Sequence, residues 1–457
     1  MPEQQYGLQR VLGLPQTIAV AAGMTIGAGI FVLTGIAAGY TGPSVPLAYL
    51  VSVVPVIFLM MCLAMLGSAL PTTGGNYKYA SRLFSPRWAF IGVWGYMGGT
   101  LVGAFPLWAL SGAQYLQALW DLPAVPAAIV ILTILFLINL VGISMAAALQ
   151  AFFVMLLFAA LLVFGFSGLP LIEAANFTPL FPAGAYGFLL AASILTFTHL
   201  GANAVVELGG EIKNPGKTIP RAFLISIPLV TLLYILVSVT AVGISPLANN
   251  GGQSPANVAK SFMSPAGFYF FILCGGVLAI ITTLNAGFMW GTKSLLVMAT
   301  DGIFPQALAK VNRRFSTPHI FLTFIYVVST ASVLIFGERY LTAFAALGSI
   351  GGIIIFIPIL GAAWRLPRRA PKAYAAAYFK LKGILLPLAV IIGAVLAFLV
   401  MAMLLIDLMA MPDGSFFSYL FLAWLVIGIL YYEIRQRSLA RQGVLLEQLN
   451  KIKEEDF

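Results

Sequence analysis

Residues able to do chemistry are few in this chain, and two stretches hold most of the informative ones. The first, GMTIGAGIFVLTG, runs from Gly23 to Gly35. The second, SILTFTHLGANAVVELGGEIKNPGK, places His199, Gly201, Asn203 and Glu207 close together. Both lie inside long apolar runs. Glycine in a helix interior costs roughly 1 kcal/mol relative to alanine. Polar groups in lipid must find a partner or a cavity. GxxxG packing accounts for Gly23 and Gly27, but Gly27 and Gly29 are two residues apart and face different sides. Local unwinding around Thr25–Gly29 is therefore expected, with a second interruption near Gly201.

A broken helix exposes free N–H groups where its second half begins and free carbonyls where its first half ends. The N–H end carries partial positive charge and suits a carboxylate; the carbonyl end suits an ammonium group or a cation. Gly27-Ala28-Gly29 has small or absent side chains, so an anion can approach its backbone. Two such helices can hold a zwitterion, and α-amino acids are the commonest zwitterions a cell imports. Enzyme chemistry is not expected. The histidines are His199 and His319, and HExxH, GxSxG and paired intramembrane aspartates are all missing from the sequence. Cys62 and Cys274 lie in apolar runs and form neither a disulfide framework nor a metal cluster.

The elements that must position these residues are membrane helices. Of 457 residues, 61% are hydrophobic and 8% charged, against about 25% charged in soluble domains. The apolar runs are continuous rather than alternating, which excludes a β-barrel. Twelve runs are expected near 14–39, 46–70, 87–116, 123–143, 149–168, 186–209, 221–243, 266–298, 318–336, 341–364, 383–407 and 415–433. The first is too long and glycine-rich for a cleavable signal peptide. With the N-terminus placed in the cytoplasm, 21 of the 24 Lys and Arg fall on the inside; Lys260 and Arg339 fall outside, and Lys293 lies within a span. The net charge of +10 then reflects loops facing anionic lipid rather than nucleic acid. The chain is expected to be a multi-pass protein of the cell (cytoplasmic) membrane with both termini in the cytoplasm and a polar tail from Arg435 to Phe457. Spans one and six are five apart and enter from opposite sides, the sign of an inverted repeat with substrate at the midplane. The expected units are 1–168 (spans one to five), 169–364 (six to ten), 365–433 (eleven and twelve) and the tail 434–457.

Three motifs resemble one family. Gly23–Gly35, GEIKNPGKTIPRA (Gly210–Ala222) and LNAGFMWGTKSLLVMATDGIFP (Leu284–Pro305) are similar to signatures of the amino acid–polyamine–organocation superfamily. The resemblance implies an all-α LeuT-type fold: a five-plus-five inverted repeat within twelve helices, one and six discontinuous, working by alternating access. It implies substrate contacts from Ile26, Gly27, Gly29, Phe197, Thr198, Leu200 and Gly201, with Phe197 as an aromatic gate. Ala28, His199 and Asn203 share those stretches and join the candidates. Where relatives often carry an acidic residue, this chain has Asn203, which weakens a cationic-substrate reading. Some proton-coupled members carry a lysine in span five in place of sodium; here Leu157 stands at the corresponding position.

Coupling stays open at this level. Sodium would sit among Gly23, Ile26, Thr282 and Thr283, since oxygen ligands suit hard cations. Protons would use His199 or Glu207, with Lys293 a further candidate. The third option is uncoupled exchange. The expected activity is secondary transport of amino acids, chiefly neutral L-amino acids, with no cofactor beyond a possible sodium ion. An exchanger that also takes cationic amino acids or polyamines and a non-transporting amino acid sensor are the alternatives. Oligomeric state is not legible.

Overall fold

The computed structural model describes residues 10–27, 29–117, 119–245, 255–312, 314–443 and 446. Among them the chain is helical, with two isolated β-bridges and no strands. The first half carries α1 (Leu14–Ile26), α2 (Thr34–Thr41), α3 (Val45–Ala69), α4 (Gly75–Leu83), α5 (Pro86–Gly98), α6 (Phe105–Gln117), α7 (Ala124–Val141) and α8 (Ile143–Gly168). Next come α9 (Gly184–Leu200), α10 (Ala204–Glu207), α11 (Pro215–Ile244), α12 (Pro255–Phe262), α13 (Pro265–Phe270), α14 (Leu278–Gly291) and α15 (Lys293–Thr300). The remainder are α16 (His319–Phe336), α17 (Leu341–Ile354), α18 (Phe356–Arg369), α19 (Pro371–Ala376), α20 (Leu385–Ala410) and α21 (Gly414–Arg441). The expected cytoplasmic tail lies outside the described residues beyond Gly443, apart from Leu446.

Among the described residues, ten helical stretches are long and apolar enough to cross a membrane. Two are much longer than one bilayer needs. Leu14–Ala69 has 56 residues and His319–Arg369 has 51, whereas about 20 suffice. Both turn partway, at Gly42 (φ 61°) and Gly337 (φ 63°), where glycine supplies the left-handed backbone. The stretches also differ in placement. In Gly184–Glu207, 89% of the most apolar window is buried by protein; in Gly414–Arg441 it is 17%. The sixth-span region is thus central and the last helix peripheral, its apolar side chains left for lipid.

Glycines set the closest approaches in the centre. Gly99 and Gly351 meet backbone to backbone: a Cβ on Gly99 would lie 2.6 Å from the Gly351 Cα. Here the α5–α6 rod carries a π-helical stretch, Gly99–Ala104. Similar stretches occur at Gly29–Leu33 and Phe271–Val277, and such bulges concentrate at functional positions.

One end of the bundle is laced by polar contacts. The Leu12 N–H donates to the Glu211 carbonyl at 2.9 Å, and the Lys213 N–H donates to the Leu12 carbonyl at 2.7 Å. Gly74 N–H donates to the Glu207 carbonyl at 3.0 Å. Buried Arg82 pairs with Asp301 at 2.7 Å.

Candidate functional site

The site begins where α1 stops. Gly27 takes φ +34°, a conformation that L side chains rarely adopt, and a Cβ there would lie 2.1 Å from the Thr283 hydroxyl oxygen. Both the backbone and the space demand glycine. Helix resumes in the π-helical stretch at Gly29, so the expected interruption of span one is present. Ala28, a further candidate, lies outside the described residues.

Span six behaves differently from its expectation. At Gly201 the α-helix tightens into a single 3₁₀ turn, Gly201–Asn203, and continues as α10. Gly201 and Asn203 keep right-handed values, φ −53° and −59°. The chain changes hydrogen-bond pattern without unwinding. Gly201 is needed for contact: its Cβ would sit 2.4 Å from the Met24 carbonyl carbon and oxygen. Lacking a side chain, it lets span six lie on the backbone just ahead of the break in span one.

A narrow pocket opens at this crossing. Its walls are Met24, Thr25, Gly27 and Gly29 from span one, Phe197, Thr198, Leu200 and Gly201 from span six, Tyr96, Thr100 and Trp108, with Thr283 and Gly352. None of these side chains is charged. Trp108 stacks on Phe197 with ring centroids 6.1 Å apart, and Tyr96 stacks on Trp290 at 4.9 Å. The cavity measures about 20 Å³, room for about one water molecule. An amino acid would therefore enter only with movement of the aromatic walls.

The sequence-derived candidates divide at this pocket. Gly27, Gly29, Phe197, Thr198, Leu200 and Gly201 line it. Ile26 does not, its side chain being fully buried in the core. His199 is turned away. Its Nδ1 lies 3.2 Å from the Ser52 hydroxyl and 3.3 Å from that of Thr198. Both hydroxyls donate to backbone carbonyls, Ser52 to Tyr49 and Thr198 to Leu195. They are left to accept, so Nδ1 carries the hydrogen and Nε2 is the bare acceptor. The Tyr49 and Tyr234 rings pack edge-on against the imidazole. Asn203 is buried behind the wall near the Tyr96 hydroxyl, with neither amide atom in hydrogen-bonding geometry.

The charged candidates lie outside the pocket wall, near the laced end. The Glu207 carboxylate accepts from the Ser294 hydroxyl at 2.8 Å and from the Asn76 N–H at 3.1 Å. Lys293 pairs with Glu211, not Glu207, at 2.9 Å, and both are buried. Burial pushes the Glu211 carboxyl up, against the pull of the Lys293 ammonium beside it.

Of the expected sodium ligands, three meet. The Thr283 hydroxyl donates toward the Gly23 carbonyl at 3.0 Å, with Thr282 at 3.4 Å. Both hydroxyls also approach the Ala279 carbonyl. No group of three or more His, Cys, Asp or Glu that could hold a metal occurs among the described residues. From span five, Gln150 and Val154 lie nearest to Gly23.

Sequence reasoning missed Met24, Tyr96, Thr100, Trp108 and Gly352. Thr100 and Gly352 had a usable signal, since MGGTLVGAF and LGSIGG are glycine-rich interruptions like the one in span one. It also missed Tyr234, whose hydroxyl lies 2.5 Å from the Thr25 carbonyl and 3.0 Å from that of Thr198. This phenol ties the two crossing spans together behind the pocket.

Comparison with known proteins adds an independent line. A family model described as amino acid permease matches residues 12–431. A branched-chain amino acid permease of Bacillus subtilis is 27% identical over 453 residues, 94% of each chain. A methylthioribose transporter of the same organism is 26% identical over 454 residues, again 94% of each. The chloroplastic cationic amino acid transporter 9 of Arabidopsis thaliana is 28% identical over 332 residues, 67% of this chain and 58% of its own.

Proposed function

The chain belongs to the amino acid permease family, and on that premise we propose that it is a secondary transporter of neutral amino acids with apolar side chains. The observation that carries this reading is the uncharged, aromatic-walled pocket at the break in span one. The substrate carboxylate lies on the N–H groups around Gly27 and Gly29, where no side chain intervenes. The ammonium group lies toward the carbonyl ends of α1 and α9. The side chain lies among Trp108, Phe197, Leu200 and Gly352. A cationic side chain would find no carboxylate on these walls, which favours the branched-chain relative over the cationic ones as a guide.

The long stretches Leu14–Ala69 and His319–Arg369 each cross twice in this reading, giving twelve crossings with both termini inside. Residues 1–168 and 169–364 form the inverted halves, 365–433 the last two spans and 434–457 the tail. Transport proceeds by alternating access: Phe197 and Trp108 part to admit substrate, and the laced end around Glu207, Glu211 and Lys293 opens to release it. Proton coupling through Glu207 or His199 and exchange without an ion both fit this scheme.

Counterflow in proteoliposomes tests the proposal, using a panel of common amino acids plus methylthioribose. Exchange of leucine, isoleucine or valine is the expected result. Exchange confined to lysine and arginine would overturn the neutral assignment. Substrate binding with zero flux would make the protein a sensor.

A further inference from the structure

The basic residues at the laced end fall into two groups. Three are paired with acids of the protein: Arg82 with Asp301, Lys293 with Glu211 and Arg87 with Glu433. The segment between α18 and α20 is different. It carries Arg365, Arg368, Arg369, Lys372, Lys380 and Lys382, and no Asp or Glu occurs anywhere between Glu338 and Asp407. Two of the six are used locally. Arg365 donates to the Phe84 carbonyl at 3.0 Å with its guanidinium over the Phe84 ring, and Lys380 donates to the Ala375 carbonyl. Arg368, Arg369, Lys372 and Lys382 are exposed, and none of them forms an ion pair among the described residues.

The backbone that bears these cations is anchored. The Tyr374 hydroxyl donates to the Leu381 carbonyl at 2.7 Å, and the Phe379 N–H donates to the Ser68 hydroxyl of α3 at 3.0 Å. Exposed apolar side chains flank the segment: Trp364 on α18, Tyr378 after α19, and Ile384 and Leu385 where α20 begins. Such groups belong where hydrocarbon gives way to headgroups. The first turns of α11 adjoin the segment and add a further exposed cation, since the Arg221 guanidinium lies 5.4 Å from the centre of the Tyr378 ring. Cations set beside apolar side chains at a membrane rim match the phosphate and acyl chains of an acidic lipid.

We propose that Arg368, Arg369, Lys372 and Lys382, with Arg221, form a surface for the headgroups of acidic phospholipids. The acyl chains lie along Trp364, Tyr378, Ile384 and Leu385. A phosphate bound there answers charges that the protein leaves without an anion, and it bridges the start of α11 to the anchored segment. Because α11 follows span six, lipid charge reaches the end of the bundle that opens in the transport reading above. The surface lies apart from the substrate pocket and stands whatever the substrate is.

Lipid binding by the full-length chain tests it. Purified protein in a neutral detergent is mixed with phosphatidylglycerol or with phosphatidylcholine of the same acyl chains, then followed by native mass spectrometry and thermal unfolding. The wild type should hold phosphatidylglycerol about tenfold more tightly and melt higher with it, and high salt should shrink the difference. The four-site variant Arg368→Gln, Arg369→Gln, Lys372→Gln, Lys382→Gln should lose the preference. A control that removes four other exposed cations from the same end, Lys310→Gln, Arg314→Gln, Arg437→Gln, Arg441→Gln, should keep it. Equal loss in both would reveal an effect of net charge alone and overturn the proposal. So would a wild type without preference, or protection by inorganic phosphate equal to that by phosphatidylglycerol. Should the four-site variant not purify as one peak, Arg221→Gln decides in its place: a drop in preference of about threefold is expected, and an unchanged preference would overturn the surface. None of these measurements needs flux, so failure of transport leaves them intact.

Discussion

Spans one and six cross at the pocket and both place a glycine there, yet the two glycines do unlike work. Gly27 is held at positive φ and interrupts its span; Gly201 keeps right-handed helical angles where α9 passes into a 3₁₀ turn without a break. The first supplies conformation, the second supplies proximity. A glycine in an apolar run thus signals a functional crossing without saying which helix is opened. Only one of the two spans presents a full break in its backbone, so the free N–H groups of the site come chiefly from span one.

The contrast can be broken by mutation, most severely at Gly27. Gly27→Leu combines left-handed strain with a collision against Thr283 and should reduce leucine uptake about a hundredfold or more, while the protein still inserts and elutes as one peak in size-exclusion chromatography. Near-normal uptake would remove the break from the mechanism. Gly201→Ala comes next. The backbone of Met24 cannot yield as a flexible side chain would, so about a tenfold loss of uptake is expected, together with a lower melting temperature. A Gly201→Ala protein as stable and active as the wild type would show that proximity is not what this glycine provides.

Tyr234→Phe should act more gently. It deletes one hydroxyl shared by the Thr25 and Thr198 carbonyls, a change of about 1–2 kcal/mol, read as weaker substrate binding in a scintillation proximity assay. Unaltered affinity would mean the two spans are registered by packing alone. The smallest effect belongs to Asn203→Asp. Asn203 lies behind Tyr96 rather than on the wall, so competition by lysine or arginine should change by less than about threefold. A large gain of cationic preference would return this position to the substrate.

Much of the architecture was readable from apolar runs, because a crossing helix needs about 20 residues with little polarity. The run near 123–143 appears as Ala124–Val141, and that near 415–433 lies within Gly414–Arg441. About half of the pocket was named in advance too: Gly27, Gly29 and Gly201 through the energetic penalty that glycines carry in a membrane helix, Phe197, Thr198 and Leu200 through the family resemblance. Trp108 and Tyr96 were not, since an aromatic in an apolar run looks the same whether it faces lipid, core or substrate. His199 shows the complementary limit. Its depth could be inferred from its neighbours, but its direction could not: Thr198 and Leu200 on either side face the pocket while the imidazole faces Tyr49 and Tyr234. The amides of Asn139, Gln150 and Asn285 lie on three helices spread over almost 150 residues, and only folding reveals that they are hydrogen-bonded in one chain.

The short pairing between Leu12 and the Glu211–Lys213 segment has a mechanical meaning. It staples the lead-in of the first span to the run-out of the sixth, so neither can swing without dragging the other. A load applied through a fusion abutting Gly13 would be transmitted straight to the far partner, which makes this seam the natural handle for stalling the transport cycle from outside the bilayer.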